Sequence, residues 1–169
     1  RKVGALDALC LNHLSGISSI QNKINNKEAL ILLWDVCQIP DFSNSLSGVH
    51  FSLLEKTFEL LLANGKLDNE WIKSQLNRLN RFDGEIDTLL NRISNIRTWT
   101  FITNRQKWID ESEYWQNEAK TIEDKLSDEL HNRLTQRFVD KRIVILNKTL
   151  KERSDLEALI RLDGKVIVE

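Results

Sequence analysis

Apolar residues return at spacings of three and four along almost the whole chain, and this pattern predicts an all-helical protein. Residues 3–14 read as a short helix with Gly16 as its stop, and Ile17, Ile20 and Ile24 continue the helical spacing. Asn26 is placed to cap a helix over 27–37, which is apolar nearly all round and therefore expected at the centre of the core. Pro40, the only proline, opens a loop over 38–48 rich in Ser and Asn. Leu53, Leu54, Phe58, Leu61 and Leu62 define an amphipathic helix over 49–64 that Gly65 ends. Asp68 caps the next helix, with Trp71, Ile72, Leu76 and Leu79. Asp83-Gly84 breaks the chain before a helix over 85–103, and 104–110 form a short connection.

The longest pattern follows. Trp115, Ala119, Ile122, Leu126, Leu130, Leu134, Phe138 and Leu146 keep one stripe along a helix over 113–151. No Gly or Pro falls between Glu85 and Asp163, and Ser127-Asp128 is the best internal cap for a break. An unbroken helix over 112–151 is about 60 Å long. A compact domain of 169 residues has a radius of gyration of only about 15–16 Å. Phe138, Val139, Ile143 and Leu146 are therefore expected to be less buried than Ile122 and Leu126. Ser154 with Glu157 reads as a capping box opening a final helical turn, and Asp163-Gly164 as a turn before a strand at 165–168. The predicted fold is all-α: an irregular bundle of about six to seven helices, with one long helix and a short C-terminal strand or hairpin. One helical domain is expected over 1–169, with 153–169 beginning a truncated C-terminal extension of a larger polypeptide.

Composition narrows the function. A net charge of -1 and a pI near 6.4 exclude a dedicated nucleic-acid coat, so any such contact must come from a local patch. The longest apolar run, Ala29 to Trp34, is far too short to span a membrane, and no membrane partner is expected. Cys10 and Cys37 sit among apolar neighbours and read as buried thiols in a reducing compartment, the cytoplasm.

No phosphate loop is present: Asn64-Gly65-Lys66 and Asp163-Gly164-Lys165 lack the preceding glycine. His13, His50 and His131 have no metal-ligand spacing, and no nucleophile can be paired with them. Asp128-Glu129-Leu130-His131 spells the Asp-Glu-x-His box of helicase ATPases. That box works at the end of a parallel strand beside a phosphate loop, and here it lies within a helical pattern. No catalytic residue, metal or cofactor is therefore expected, and no nucleotide hydrolysis. Trp99, Trp108 and Trp115 are interleaved with Arg97, Arg105 and Lys107, an arrangement that suits either core filling or stacking on single-stranded nucleic acid. Charge along the long helix is sorted. Eight acids oppose three lysines over 107–130, whereas seven bases oppose two acids over 131–153. The helix macrodipole favours that order by itself, and a phosphate-tracking surface also fits it. Arg105, Arg133, Arg137, Lys141 and Arg142 are the candidate nucleic-acid-binding residues.

These residues also carry a family resemblance. The stretches are Leu33-Trp34-Asp35-Val36-Cys37-Gln38-Ile39-Pro40-Asp41, Asp83-Gly84-Glu85-Ile86-Asp87-Thr88-Leu89 and Ile96-Arg97-Thr98-Trp99-Thr100-Phe101, with Asn104-Arg105 and Trp108 after them. The longest runs from Ile122-Glu123-Asp124-Lys125-Leu126-Ser127-Asp128-Glu129-Leu130-His131 through Arg133-Leu134-Thr135-Gln136-Arg137-Phe138-Val139-Asp140-Lys141-Arg142. In these the chain resembles the C-terminal helical region of bacterial superfamily 2 (DExH-type) helicases related to the mitochondrial degradosome RNA helicase. The resemblance covers roughly 33–150 and weakens at Ile143-Val144-Ile145-Leu146-Asn147-Lys148, which is less basic than the family pattern. It implies a non-catalytic accessory region of an ATP-dependent RNA or DNA helicase. Such a region packs on the N-terminal ATPase domains, where ATP and Mg²⁺ belong, and helps form the channel for a single strand. The alternative is a structural, protein-docking helical domain without nucleic-acid contact.

Overall fold

Among the described residues, 3–43 and 47–162 of a computed structural model, the backbone forms seven helices and no strand. They are α1 (Val3–Ser15), α2 (Ser18–Gln21), α3 (Lys27–Cys37), α4 (Gly48–Asn64), α5 (Asn69–Leu79), α6 (Ile86–Thr103) and α7 (Ser112–Leu162). This is the all-α irregular bundle with one long helix that the apolar spacing predicts. The expected turn at Asp163-Gly164 and strand at 165–168 lie outside the described residues. The sequence reads as one domain, and contacts divide the chain into two compact units, Arg1–Glu129 and Leu130–Glu169, with α7 running through the boundary.

Local chemistry sets three of the helix ends. The Asn26 side chain accepts from the Ala29 N–H at 2.8 Å, satisfying one of the free donors of the first turn of α3. Asp68 does the same for α5 through Trp71 N–H at 3.3 Å. Gly65 closes α4 in the left-handed region at φ 74°, donating to the Leu61 carbonyl at 2.8 Å. Gly16 departs from this pattern: it is not left-handed, and α1 ends instead through turn bonds from Gly16 and Ile17 to the His13 and Leu14 carbonyls.

In the first unit α3 and α4 pack on each other and on α1, and α5 packs on α6. Phe58, Leu14, Leu33, Leu54, Ile72 and Ile96 are all fully buried there. Helix α3 is apolar nearly all round, yet only one of its faces lies in the core. Ala29, Leu33, Val36 and Cys37 are buried, while Leu30 and Ile31 on the same helix are 47% and 50% exposed. Neighbours α1 and α4 take only one face, and a helix needs neighbours on every side to bury every side.

Both cysteines are free and buried. Burial, with the neighbouring Cys10 and Asp7 adding to it, pushes the Cys37 thiol up to about 12, so the reactive thiolate is suppressed at neutral pH.

His50 on α4 is 7% exposed, and burial holds its pKa below the ordinary value despite the Asp41 charge and a bond to the Ile39 backbone. The folded state therefore keeps this imidazole neutral where the unfolded chain binds a proton. That contribution to stability is whole above the unfolded value of 6.5 and shrinks as pH falls below it. Urea midpoints are expected to drop between pH 7.5 and pH 5.5, and His50→Gln is expected to flatten that interval. An equal slope in the variant would remove His50 as its source.

The start of α7 is bound firmly to the first unit. Trp115, Ala119, Ile122 and Leu126 are buried, the Trp115 indole N–H donates to Asn69 Oδ1 at 3.1 Å, and Arg97 pairs with Glu123 at 3.0 Å. Of the two outcomes the sequence leaves open for this helix, a break at Ser127-Asp128 or a continuous run, the structure has the continuous run that the lack of Gly and Pro favours. The separate turn expected at Ser154 does not form: Ser154 lies inside α7 rather than capping a new helical turn. With no Gly or Pro upstream, nothing ends the preceding helix, and a serine within a helix costs only a few tenths of a kcal/mol.

Candidate nucleic-acid interface

Arg105 belongs to the first unit, in the connection between α6 and α7. Its guanidinium lies 5.0 Å from the Phe101 ring centroid and 5.2 Å from that of Trp108. Its backbone is also fixed, since Arg105 N–H donates to Ile102 O at 3.0 Å and Trp108 N–H to Arg105 O at 2.8 Å. The Trp108 carbonyl in turn accepts from Leu67 N–H at 2.7 Å. Arg105 is half-buried, so its cation is engaged in holding this connection against the ring faces. Trp99, Trp108 and Trp115 are buried, and they fill the core rather than offering ring faces to bases.

Arg133, Arg137, Lys141 and Arg142 all belong to the second unit, where every residue of 131–160 is exposed. Arg142 lies 5.7 Å from the centroid of the Phe138 ring one turn back, which orders its head along the helix. Gln136 donates to Asp140 at 2.8 Å, taking up one of the few carboxylates here. Lys148 is 3.8 Å from Glu152, a loose exposed pair of small energetic value. Among the described residues no carboxylate comes within ion-pair distance of Arg137 or Lys141.

The bases share a helix with an apolar seam that the sequence reading did not separate from the main stripe. Val139, Ile143, Leu146 and Leu150 recur at spacings of four, three and four, and are 43%, 49%, 59% and 54% exposed. Val139, Ile143 and Leu150 each follow a base (Arg137, Lys141, Lys148) by two residues, which is about 200° round the helix. The face bearing Arg137, Lys141 and Lys148 therefore lies opposite this seam, with Val144 falling among the bases and Arg142 at the seam's border. The expected contrast along α7 holds: Ile122 and Leu126 are 5% and 0% exposed, against 60% for Phe138. The signal for the seam lies in the sequence, as the same four-three-four spacing, and the longer stripe through Leu134 and Phe138 masks it.

No group of His, Cys, Asp or Glu among the described residues is arranged to hold a metal ion. Asp128 to His131 lie in α7, so the Asp-Glu-x-His letters have no strand end to stand on. No helix among the described residues is long and apolar enough to cross a membrane. No family model, curated protein or solved structure matches the chain.

Proposed function

We propose that this chain is a non-catalytic helical accessory region of an ATP-dependent RNA or DNA helicase. In this reading α7 contributes a phosphate-contacting face to the path of a single strand. The observation that carries it is the two-sided segment of α7: Arg133, Arg137 and Lys141 on one side, all exposed, and an apolar seam opposite them. A helix of this kind has a place for two neighbours. The seam suits the ATPase core that such helicases possess, because its four large apolar side chains, Val139, Ile143, Leu146 and Leu150, are exposed in one contiguous row. The basic face suits a polyanion passing beside it. ATP and Mg²⁺ belong to the ATPase core in this reading, not to these residues.

Binding should be weak, salt-sensitive and indifferent to sequence, because point charges on a helix read phosphates and not base edges. Three or four phosphate contacts give a log–log salt slope of about -2 to -3, at roughly -0.7 per contact for single strands. Fluorescence anisotropy of a labelled oligonucleotide across a salt series measures it. A slope near zero, or no binding at low salt, sinks the nucleic-acid part of the proposal and leaves the docking domain. That second reading draws on the same exposed seam, which needs only a protein partner.

A further inference from the structure

A second cationic feature lies in the first unit, and no residue of α7 lines it. Helices α4, α5 and α6 wall a cleft of about 520 Å³, within the range of small-molecule sites. Its lining includes Lys56, Trp71, Gln75, Arg78, Asn95 and Trp99. We propose that this cleft binds a single nucleotide unit, with the base on the Trp71 ring and the phosphate between Lys56 and Arg78.

Three properties support this assignment. The first is charge. The cleft is lined by two bases and no acid, in a chain whose net charge is -1. A neighbouring cleft of about 370 Å³ carries Glu70, Glu111 and Glu118 against Lys73 alone, and so repels anions. Lys56 and Arg78 are exposed, and among the described residues neither has a carboxylate within ion-pair distance. Lys23, Lys66 and Arg97 of the same unit are paired, whereas Lys56 and Arg78 share one cleft and are both available to a phosphate there.

The second is the aromatic pair. Trp71 meets Trp99 edge to face, with ring centroids 5.2 Å apart and planes at 67°. Trp99 is 3% exposed and fixed in the core, so it holds Trp71, which is only half-buried, in one orientation beside the cleft. A held, partly open indole is a stacking platform, and every nucleobase has a face to lay on it.

The third is polar complementarity. Gln75 and Asn95 bring amide groups that both donate and accept. Asn95 uses its amino group on Asn91 at 3.3 Å, which leaves its carbonyl oxygen for a donor on a base edge. Neither indole N–H of the pair has an acceptor among the described residues, and no buried side-chain nitrogen is left unsatisfied, so both keep access to solvent. A ring with a phosphate uses all three properties, whereas inorganic phosphate or a bare nucleoside uses only part of them.

The test is a titration of the whole chain followed by the indole N–H resonances of its five tryptophans. Adenosine and uridine 5′-monophosphates are expected to shift Trp71 and Trp99 saturably, with Trp108 and Trp115 unmoved, and the nucleosides or inorganic phosphate to do so at least about tenfold more weakly. Lys56→Glu with Arg78→Glu, both at exposed positions, should weaken the shift more than about tenfold while leaving the rest of the spectrum intact. Trp71→Phe should keep binding and Trp71→Ala should lose it. A tetranucleotide that shifts these resonances where monophosphates do not assigns the cleft to a residue within a strand, and the reverse assigns it to the free nucleotide. Shifts that survive the double reversal, or no shift of Trp71 with any of these probes, overturn the proposal. The cleft response is expected to persist in the Arg133→Glu, Arg137→Glu, Lys141→Glu variant, which separates this site from the function proposed for α7.

Discussion

Replacing Phe58 with alanine is expected to lower the unfolding free energy of the first unit by about 3–5 kcal/mol, enough to remove most of a typical domain's margin. Phe58 heads the fully buried side chains, with none of its surface exposed, and it stands on α4, which packs on both α1 and α3. Truncation removes the apolar surface of a whole ring and leaves a space that three helices cannot all close at once. Phe58→Leu keeps most of the volume and should cost well under half as much. Urea unfolding followed by circular dichroism measures both. A loss below about 1 kcal/mol for the alanine variant would mean that the α1–α3–α4 cluster is not the stabilising core of this unit.

The charge reversal Arg133→Glu, Arg137→Glu, Lys141→Glu is expected to weaken single-strand binding at least about a hundredfold at low salt and to flatten its salt dependence. It exchanges three attractions for three repulsions on one side of a helix. The fold of the first unit should not respond, because all three residues belong to the second and all are exposed. Arg105→Ala provides the contrast. Its guanidinium lies over Phe101 and Trp108, so its removal should loosen the α6–α7 connection and cost stability more than binding. Binding unchanged in the triple variant would reduce the basic segment to a solvated face whose charge serves the helix macrodipole.

Helix ends were legible in the sequence where the deciding chemistry is local. Asn26, Asp68 and Gly65 act within four residues of themselves, and the starts of α3 and α5 and the end of α4 follow from them. Ser154 shows the limit of the same rule. A cap must follow a break, and no residue before it makes one. Burial was legible where one helix face is apolar, as at Ile122 and Leu126. In α3 it was not, since apolar residues on all sides point in no particular direction. The basic face of α7 was legible as spacing within one helix. The cleft was not, because Lys56, Trp71, Arg78 and Trp99 come from three helices and meet only through packing.

One helix here lives under two regimes. From Trp115 to Leu126 the hydrogen bonds of α7 are shielded by a core, and they can open only when that core gives way. From His131 to Ile160 every side chain faces solvent, so the same backbone bonds rest on the propagation tendency of the helix itself. Amide protons should therefore exchange slowly in the first stretch and orders of magnitude faster in the second. Whatever covers the seam of Val139, Ile143, Leu146 and Leu150 would erase that difference, making the exchange rate of those few amides a gauge of how often the seam is occupied.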